Sequence, residues 1–247
     1  SRSLAVGGTA IVKACDKIIA KGKKVAAKML EGKPEDIDFK GGEFILKNSN
    51  KKKTIGEIAF ACYLPGTFGD VKSPLPEGVE PGLIETSFFD PSNFSFPSGT
   101  HICEAEVDEE TGETNVVKYT VVDDFGTVIN PLVVEGQVYG GVAQGVGQAL
   151  YENAHYDESG QLTSASYMDY TMPRADNFPQ IKLDYTCTPA TSNPLGAKGC
   201  GEAGTIAAPA AVMNAVIDAV GTDVSMPATA EKVWKAMKKN NSKKAAA

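Results

Sequence analysis

The sequence predicts an α+β fold with two mixed subdomains, and three observations carry that expectation. Apolar residues recur at steps of three, four or seven from Thr9 to Leu30 and again in the segment after Asn130-Pro131, the spacing of helices that bury one face. Glycine-bearing turns at Gly41-Gly42 and Glu110-Thr-Gly-Glu113 join short apolar runs into antiparallel hairpins. Helical and strand segments mix without the steady strand–helix–strand rhythm of a doubly wound parallel sheet.

Each element has a local reason. The first helix carries Ile11, Cys15, Ile18, Val25 and Met29 on one stripe and Lys13, Lys17, Lys21 and Lys24 mostly on the other. Gly22 interrupts it at a cost of about 1 kcal/mol relative to Ala. Asp36 to Leu46 reads as a hairpin, because Gly41-Gly42 supplies the positive φ angles of a tight turn. Thr54-Ile-Gly-Glu57 has the form of a capping box and starts a short helix through Ala61. Residues 64–100 hold six of the fourteen prolines and no sustained period, which predicts a linker or a long functional loop.

Ile102–Val107 and Thr114–Val122 then form a hairpin, and Asn130-Pro131 supplies an N-cap and a first helical residue for a helix to Leu150. A second strand pair is expected around His155 and from Gly160 onward. Ile181, Leu183, Tyr185 and Cys187 alternate with polar residues as a half-buried strand does. Helices follow at about 205–220 and 228–237. The expected organisation is a first subdomain at 1–63, the linker at 64–100, a second subdomain at 101–237, and a disordered basic tail at 238–247.

A formal charge of −7 argues against a nucleic-acid binder, which needs a concentrated positive face. Five cysteines form no Cys-x-x-Cys pair and no even disulfide framework, so reduced thiols in the cytoplasm are expected. The most apolar stretch, Ala207 to Val220, is interrupted by Pro209, Asn214 and Asp218 and is not expected to span a membrane. The chain opens on Ser1, not Met, and reads as a piece of a larger subunit.

The densest chemical signal is Lys198-Gly-Cys-Gly-Glu-Ala-Gly204, between the Ile181 strand and a helix. Gly199, Gly201 and Gly204 mimic a dinucleotide fingerprint, but a carboxylate inside the loop would repel a pyrophosphate. That weakens the alternative of a nucleotide-binding module. Glu202 between glycines at a helix entrance suits a general base beside a flat ligand, with a plain helix cap as the competing role. The helix from Asn130 carries five glycines, which invites close approach of another backbone. Gln144 within it can both donate to and accept from a ligand edge. Ser1-Arg2-Ser3 combines two hydroxyls with a guanidinium, a set able to cradle phosphate. Cys200 is a candidate reactive thiol. His101 and His155 sit in no metal-ligand spacing and are expected at ordinary strand or surface positions.

Ser1-Arg-Ser-Leu, the Gln144-Gly-Val-Gly helix, Tyr167-Met-Asp-Tyr-Thr-Met-Pro-Arg174 and Lys198-Gly-Cys-Gly-Glu202 occur here in an order that resembles the molybdenum hydroxylases. These are the xanthine dehydrogenase and aldehyde oxidase relatives, and the likeness is nearest to large subunits of the aerobic carbon monoxide dehydrogenase type. The resemblance implies the molybdopterin-binding, C-terminal portion of such a subunit. It implies that Glu202 matches the carboxylate that takes a proton from the attacking oxygen. Lys198, Gly199 and Gly201 then match a loop around the pterin, Gln144 and Gly145 a contact to the cofactor, and Ser1, Arg2 and Ser3 a contact to its phosphate end. Molybdenum is held through the pterin, so no side chain here is expected as a metal ligand. The implied cofactor is the cytosine dinucleotide form of molybdopterin, with FAD and [2Fe-2S] clusters on partner subunits. The substrate is a small aldehyde, N-heterocycle or carbon monoxide, oxidised with oxygen from water. A second expectation is a cofactor-free structural fragment, inactive without the remainder of the large subunit. Cys200 departs from the aliphatic residue that relatives often carry.

Overall fold

The computed structural model describes residues 1–64 and 74–245, so the 65–73 part of the proline-rich segment lies outside the described residues. The chain divides into two units, Val6–Asp90 and a larger one made of Ser1–Ala5 with Pro91–Ala247. The opening residues therefore belong with the distant part of the sequence, not with the helix they precede.

In the smaller unit, helix α1 (Thr9–Leu30) packs on an antiparallel sheet of β1 (Ile37–Lys40), β2 (Glu43–Leu46) and β3 (Lys52–Thr54), followed by α2 (Ile55–Tyr63). The core is Val25, Ala26 and Leu30 from α1 with Ile37, Phe44 and Ile58. Gly22 is explained by this packing: the ring of Phe44 occupies the space a Cβ would need. Both turn glycines, Gly41 and Gly42, have positive φ as the hairpin requires.

The capping box at α2 forms in full, with Glu57 N–H donating to the Thr54 hydroxyl and Thr54 N–H donating to the Glu57 carboxylate. A hydrogen bond from Lys53, then those from the Thr54 backbone and hydroxyl, hold the Glu57 carboxyl down to about 2, below its ordinary 4.5. A carboxyl depressed in the folded state stabilises the fold above its unfolded value, and that contribution fades as pH falls through about 2. We expect helix signal near α2 to weaken between pH 4.5 and 2. In Glu57→Gln the acid limb should be shallower when stability is followed against pH by circular dichroism.

The larger unit is built on a sheet of β4 (Ser98–Val107), β5 (Thr114–Asp124) and β6 (Ile181–Thr186). β4 and β5 are the expected hairpin, with a bulge at Glu104/Ala105, whereas β6 pairs parallel to β5 from Tyr119↔Ile181 to Asp124↔Thr186. A parallel partner needs a crossover, here a long one that contains α3 (Pro131–Leu150). The Asn130 side chain accepts from Val133 N–H and caps α3, with Pro131 at its first position.

Helix α4 (Ala203–Val220) packs on β4 and against α3. Ala208, Val212 and Val216 join Val138, Val142 and Val146 of α3 and Tyr119 and Val121 of the sheet in one core. Its apolar composition follows from having a neighbour on more than one side. By length and composition alone α4 could cross a membrane, yet its central residues are core residues of this unit.

Two expectations are corrected. The strand pair around His155 is a single bridge, Tyr156↔Leu162. The Asp157 carboxylate accepts from the backbone N–H of Ser159 and Gln161 and shapes a loop in place of a ladder. The basic end is not disordered from residue 238: α5 spans Ala230–Ala245. Lys and Ala are good helix formers, and the Asn240 amide donates to Val220 O at the end of α4.

Candidate cofactor-binding cleft at the mouth of a helix

Three stretches of the larger unit converge at the N-terminus of α4. The loop 198–201 leaves a bridge between Gly126 and Ala197 and delivers Glu202 to the N-cap position. Its glycines are required by a close neighbour. A Cβ on Gly199 would stand 2.5 Å from Ser1 Cβ and 2.6 Å from Ser1 O, and one on Gly201 would overlap the Ser1 hydroxyl. Gly201 N–H donates to Ser1 Oγ at 3.0 Å. The bare backbone of this loop thus admits the opening segment of the chain, which is how residues about 200 apart in sequence share one site. Ser1 fills the space where a dinucleotide fingerprint would admit a pyrophosphate.

The result is a cleft of about 410 Å³. Glu202, Gly199, Ser1 and Arg2 border it on one side and the Phe94–Pro97 segment on the other. The Arg2 guanidinium lies 5.9 Å from the Phe94 ring centre, within cation–π range. Both Phe94 and Phe96 are exposed, so the cleft offers flat apolar rings, one cation and one carboxylate.

Glu202 occupies the N-cap of α4, but its side chain makes no capping hydrogen bond. Its backbone carbonyl accepts from Thr205 and Ile206 N–H, while the carboxylate remains exposed at the cleft. The competing role of a helix-capping glutamate therefore does not describe it. A carboxylate at a helix N-terminus sits where the helix dipole favours negative charge.

Other expected site residues are placed differently. The Lys198 ammonium pairs with Asp124 at 3.1 Å, both side chains being nearly buried, and does not border the cleft. Burial works against the Asp124 anion, yet hydrogen bonds from Thr188, from the Gly126 and Thr188 backbone and from Lys198 hold its carboxyl well below the ordinary range. Lys198 is thereby committed to fixing the loop. Gly145 is buried in packing, since a Cβ there would meet Ala208 at 2.5 Å and Pro209 at 2.9 Å. Gln144 is exposed on α3 and Ser3 opens a π-helical turn, Ser3–Gly8; neither borders the cleft. The α3 side chain that does reach the loop is Gln137, two turns earlier, whose amide donates to Gly201 O at 2.8 Å. Position i+7 on a helix shares a face with i, so Gln137 and Gln144 lie on one face of α3.

Cys200 packs against the main core, and burial raises its thiol above the ordinary value, so it stays protonated and unreactive. His155 bonds Thr163 at the surface. His101 holds the expected strand position, on β4, with its side chain only 1% exposed beside an Asp123 side chain at 4%. No cluster of three or more metal-ligating side chains occurs among the described residues.

The family model for the molybdopterin cofactor-binding domain matches residues 1–179. The chain is 39% identical over 246 residues to the carbon monoxide dehydrogenase large chain of Hydrogenophaga pseudoflava, covering 98% of this chain and 30% of that one. It is also 39% identical to the nicotine 6-hydroxylase large subunit of Paenarthrobacter nicotinovorans, over 96% of this chain and 29% of that one. Among solved structures, a Cu,Mo-CO dehydrogenase superposes with a TM-score of 0.86 at 36% identity, over 96% of this chain and 29% of that chain. The chain thus spans about 30% of the length of the relatives it matches. Matched by that model over well more than half of its length, the chain belongs to the molybdopterin cofactor-binding domain family of the molybdenum hydroxylase large subunits.

Proposed function

We propose that this chain forms one wall of the cofactor and substrate site in a molybdenum hydroxylase-type oxidoreductase, with Glu202 as its general base. The observation that carries the reading is the Glu202 carboxylate. It stands at a helix N-cap, makes no cap hydrogen bond, and borders a cleft with Ser1 and Arg2.

The residues present fit a flat anionic group. Arg2 offers a bidentate cation to a phosphate, and the Phe94 and Phe96 rings give a fused heterocycle apolar contact. When bound, the molybdopterin would supply the two-electron redox centre. Arg2 and Ser1 would hold its phosphate end, and the loop fixed by the Lys198–Asp124 pair and by Gln137 would hold the position of Glu202. Glu202 then accepts a proton at a carboxylate oxygen as water-derived oxygen is transferred to the substrate.

The cytosine dinucleotide form extends this reading, because Arg2 gives a dinucleotide phosphate its cation. The remainder of the large subunit closes the cleft, and partner subunits bearing FAD and [2Fe-2S] clusters carry the electrons away. A reducing cytoplasm suits the five unpaired cysteines. Substrate choice is left to the rest of the subunit, since this chain is equally close, at 39%, to proteins named for carbon monoxide and for nicotine.

In the complete large subunit with its partner subunits, elemental analysis should find molybdenum retained. Arg2→Ala should lower the retained metal several-fold, because a charge-assisted hydrogen bond contributes about 1.5–3 kcal/mol. A complete complex that holds no molybdenum overturns the assignment.

A further inference from the structure

Behind the Glu202 cleft, between α4 and the sheet, lies a second cavity of about 100 Å³. Pro97 and Ile206 border both spaces. The walls include small residues, Ala203 and Ala207 from the first turns of α4 and Gly99 from β4, and the polar residues are Ser98, His101 and Asp123. These two side chains are 1% and 4% exposed.

Strand geometry explains why they meet. Gly99 pairs with Asp123 and His101 with Val121 across the β4–β5 ladder, so His101 and Asp123 are diagonal neighbours on the face that α4 covers. Gly99 is needed there, because a Cβ would collide with the Asp123 carboxylate. The His101 Nδ1 lies 3.0 Å from the Tyr119 hydroxyl. Burial, then the neighbouring Cys103 and Asp123, push that hydroxyl well above its ordinary range, so it stays neutral. With that hydroxyl donating to Nδ1, Nε2 carries the ring proton.

That proton has no direct acceptor. Nε2 stands 3.5 Å from Asp123 Oδ1, and both His101 Nε2 and Asp123 Oδ2 lack a hydrogen-bond partner in the protein. Leaving a buried donor and a buried acceptor unpaired is costly, and an apolar pair under a helix would have avoided it. A polar cavity of this size with at least two convergent polar groups meets the requirements for internal water. Two side chains are too few to hold a metal ion.

We propose that His101 and Asp123 form a built hydration site, holding water between Nε2–H and the carboxylate at the back of the Glu202 cleft. The ligand is water itself, accepting from His101 and donating to Asp123. Ala203, the residue that follows the carboxylate assigned as general base, lines this cavity. The water's role there rests on the proposed function: a reaction that draws oxygen from water gains a held supply beside its base. The hydration site itself does not depend on that reading.

The test is a crystal structure of the complete complex at better than about 1.8 Å, a resolution at which ordered waters are visible. We expect density within hydrogen-bond distance of both His101 Nε2 and Asp123 Oδ2. A dry cavity, or the two side chains closed into a direct hydrogen bond, overturns the site. Ala207→Val should fill the space, displace the water and lower kcat about tenfold with KM and molybdenum content unchanged. Displaced water with unaltered kcat overturns the catalytic role. Because the first result is read from density, it stands apart from whether the complex turns over.

Discussion

Glu202→Gln in the complete, molybdenum-loaded enzyme should lower turnover at least about 100-fold, the lower range for loss of a positioned general base. The substitution keeps size and shape and removes only proton acceptance. The structure makes it an unusually clean test, because the side chain carries no capping hydrogen bond whose loss would confuse the result. Thermal midpoint and molybdenum content should therefore match the parent enzyme, while kcat and kcat/KM fall together, as expected for an interaction made only in the transition state. Near-normal turnover would reduce Glu202 to a surface residue at a helix end. A parallel fall in metal content would make it a binding group.

The parts of this site that were legible in the sequence are those fixed locally. Gly199, Gly201 and Glu202 share one short loop, and the expectation of bare backbone at a helix mouth needs no distant information. The same holds for α1, the Gly41-Gly42 hairpin, the Thr54–Glu57 capping box and the Asn130-Pro131 start, each written in a few adjacent residues. The opening Ser1-Arg2 pair reaches the cleft, though nothing local to it says where it docks.

Non-local facts were hidden for identifiable reasons. The parallel pairing of β6 with β5 has no turn to announce it, since the connecting chain runs through all of α3. Lys198 looked like a ligand-binding cation until Asp124, 74 positions away, proved to neutralise it. His101 looked unremarkable because its partners, Tyr119 and Asp123, lie across a hairpin. On α3 nothing local marks Gln137 as the side chain that reaches Gly201, 64 positions away.

The glycines of α3 and α4 separate packing from permissiveness, and one substitution there should have a very large effect. Gly204→Val should abolish folding of the larger unit. A Cβ at Gly204 would overlap the Val138 carbonyl oxygen and lie 3.0 Å from Gly141 Cα. The obstruction is backbone on both sides, so no side chain can rotate away and the two helices must separate. Overpacking in a core costs typically about 1–3 kcal/mol when side chains can adjust; a clash with main chain exceeds that, against a total stability of only about 5–15 kcal/mol. Separation would also empty the contacts of Val138, Val142, Ala208 and Val212, which form the shared core. Gly140 makes the contrast. Nothing lies within 4 Å of where its Cβ would stand, whereas at Gly141 that atom would meet Gly204 Cα at 2.9 Å. Gly140→Ala should therefore stabilise this chain by about 0.5–1 kcal/mol through helix propensity alone. Thermal or denaturant unfolding of the two variants beside the parent separates these outcomes. A soluble, cooperatively unfolding Gly204→Val chain would show that α3 and α4 do not meet backbone to backbone.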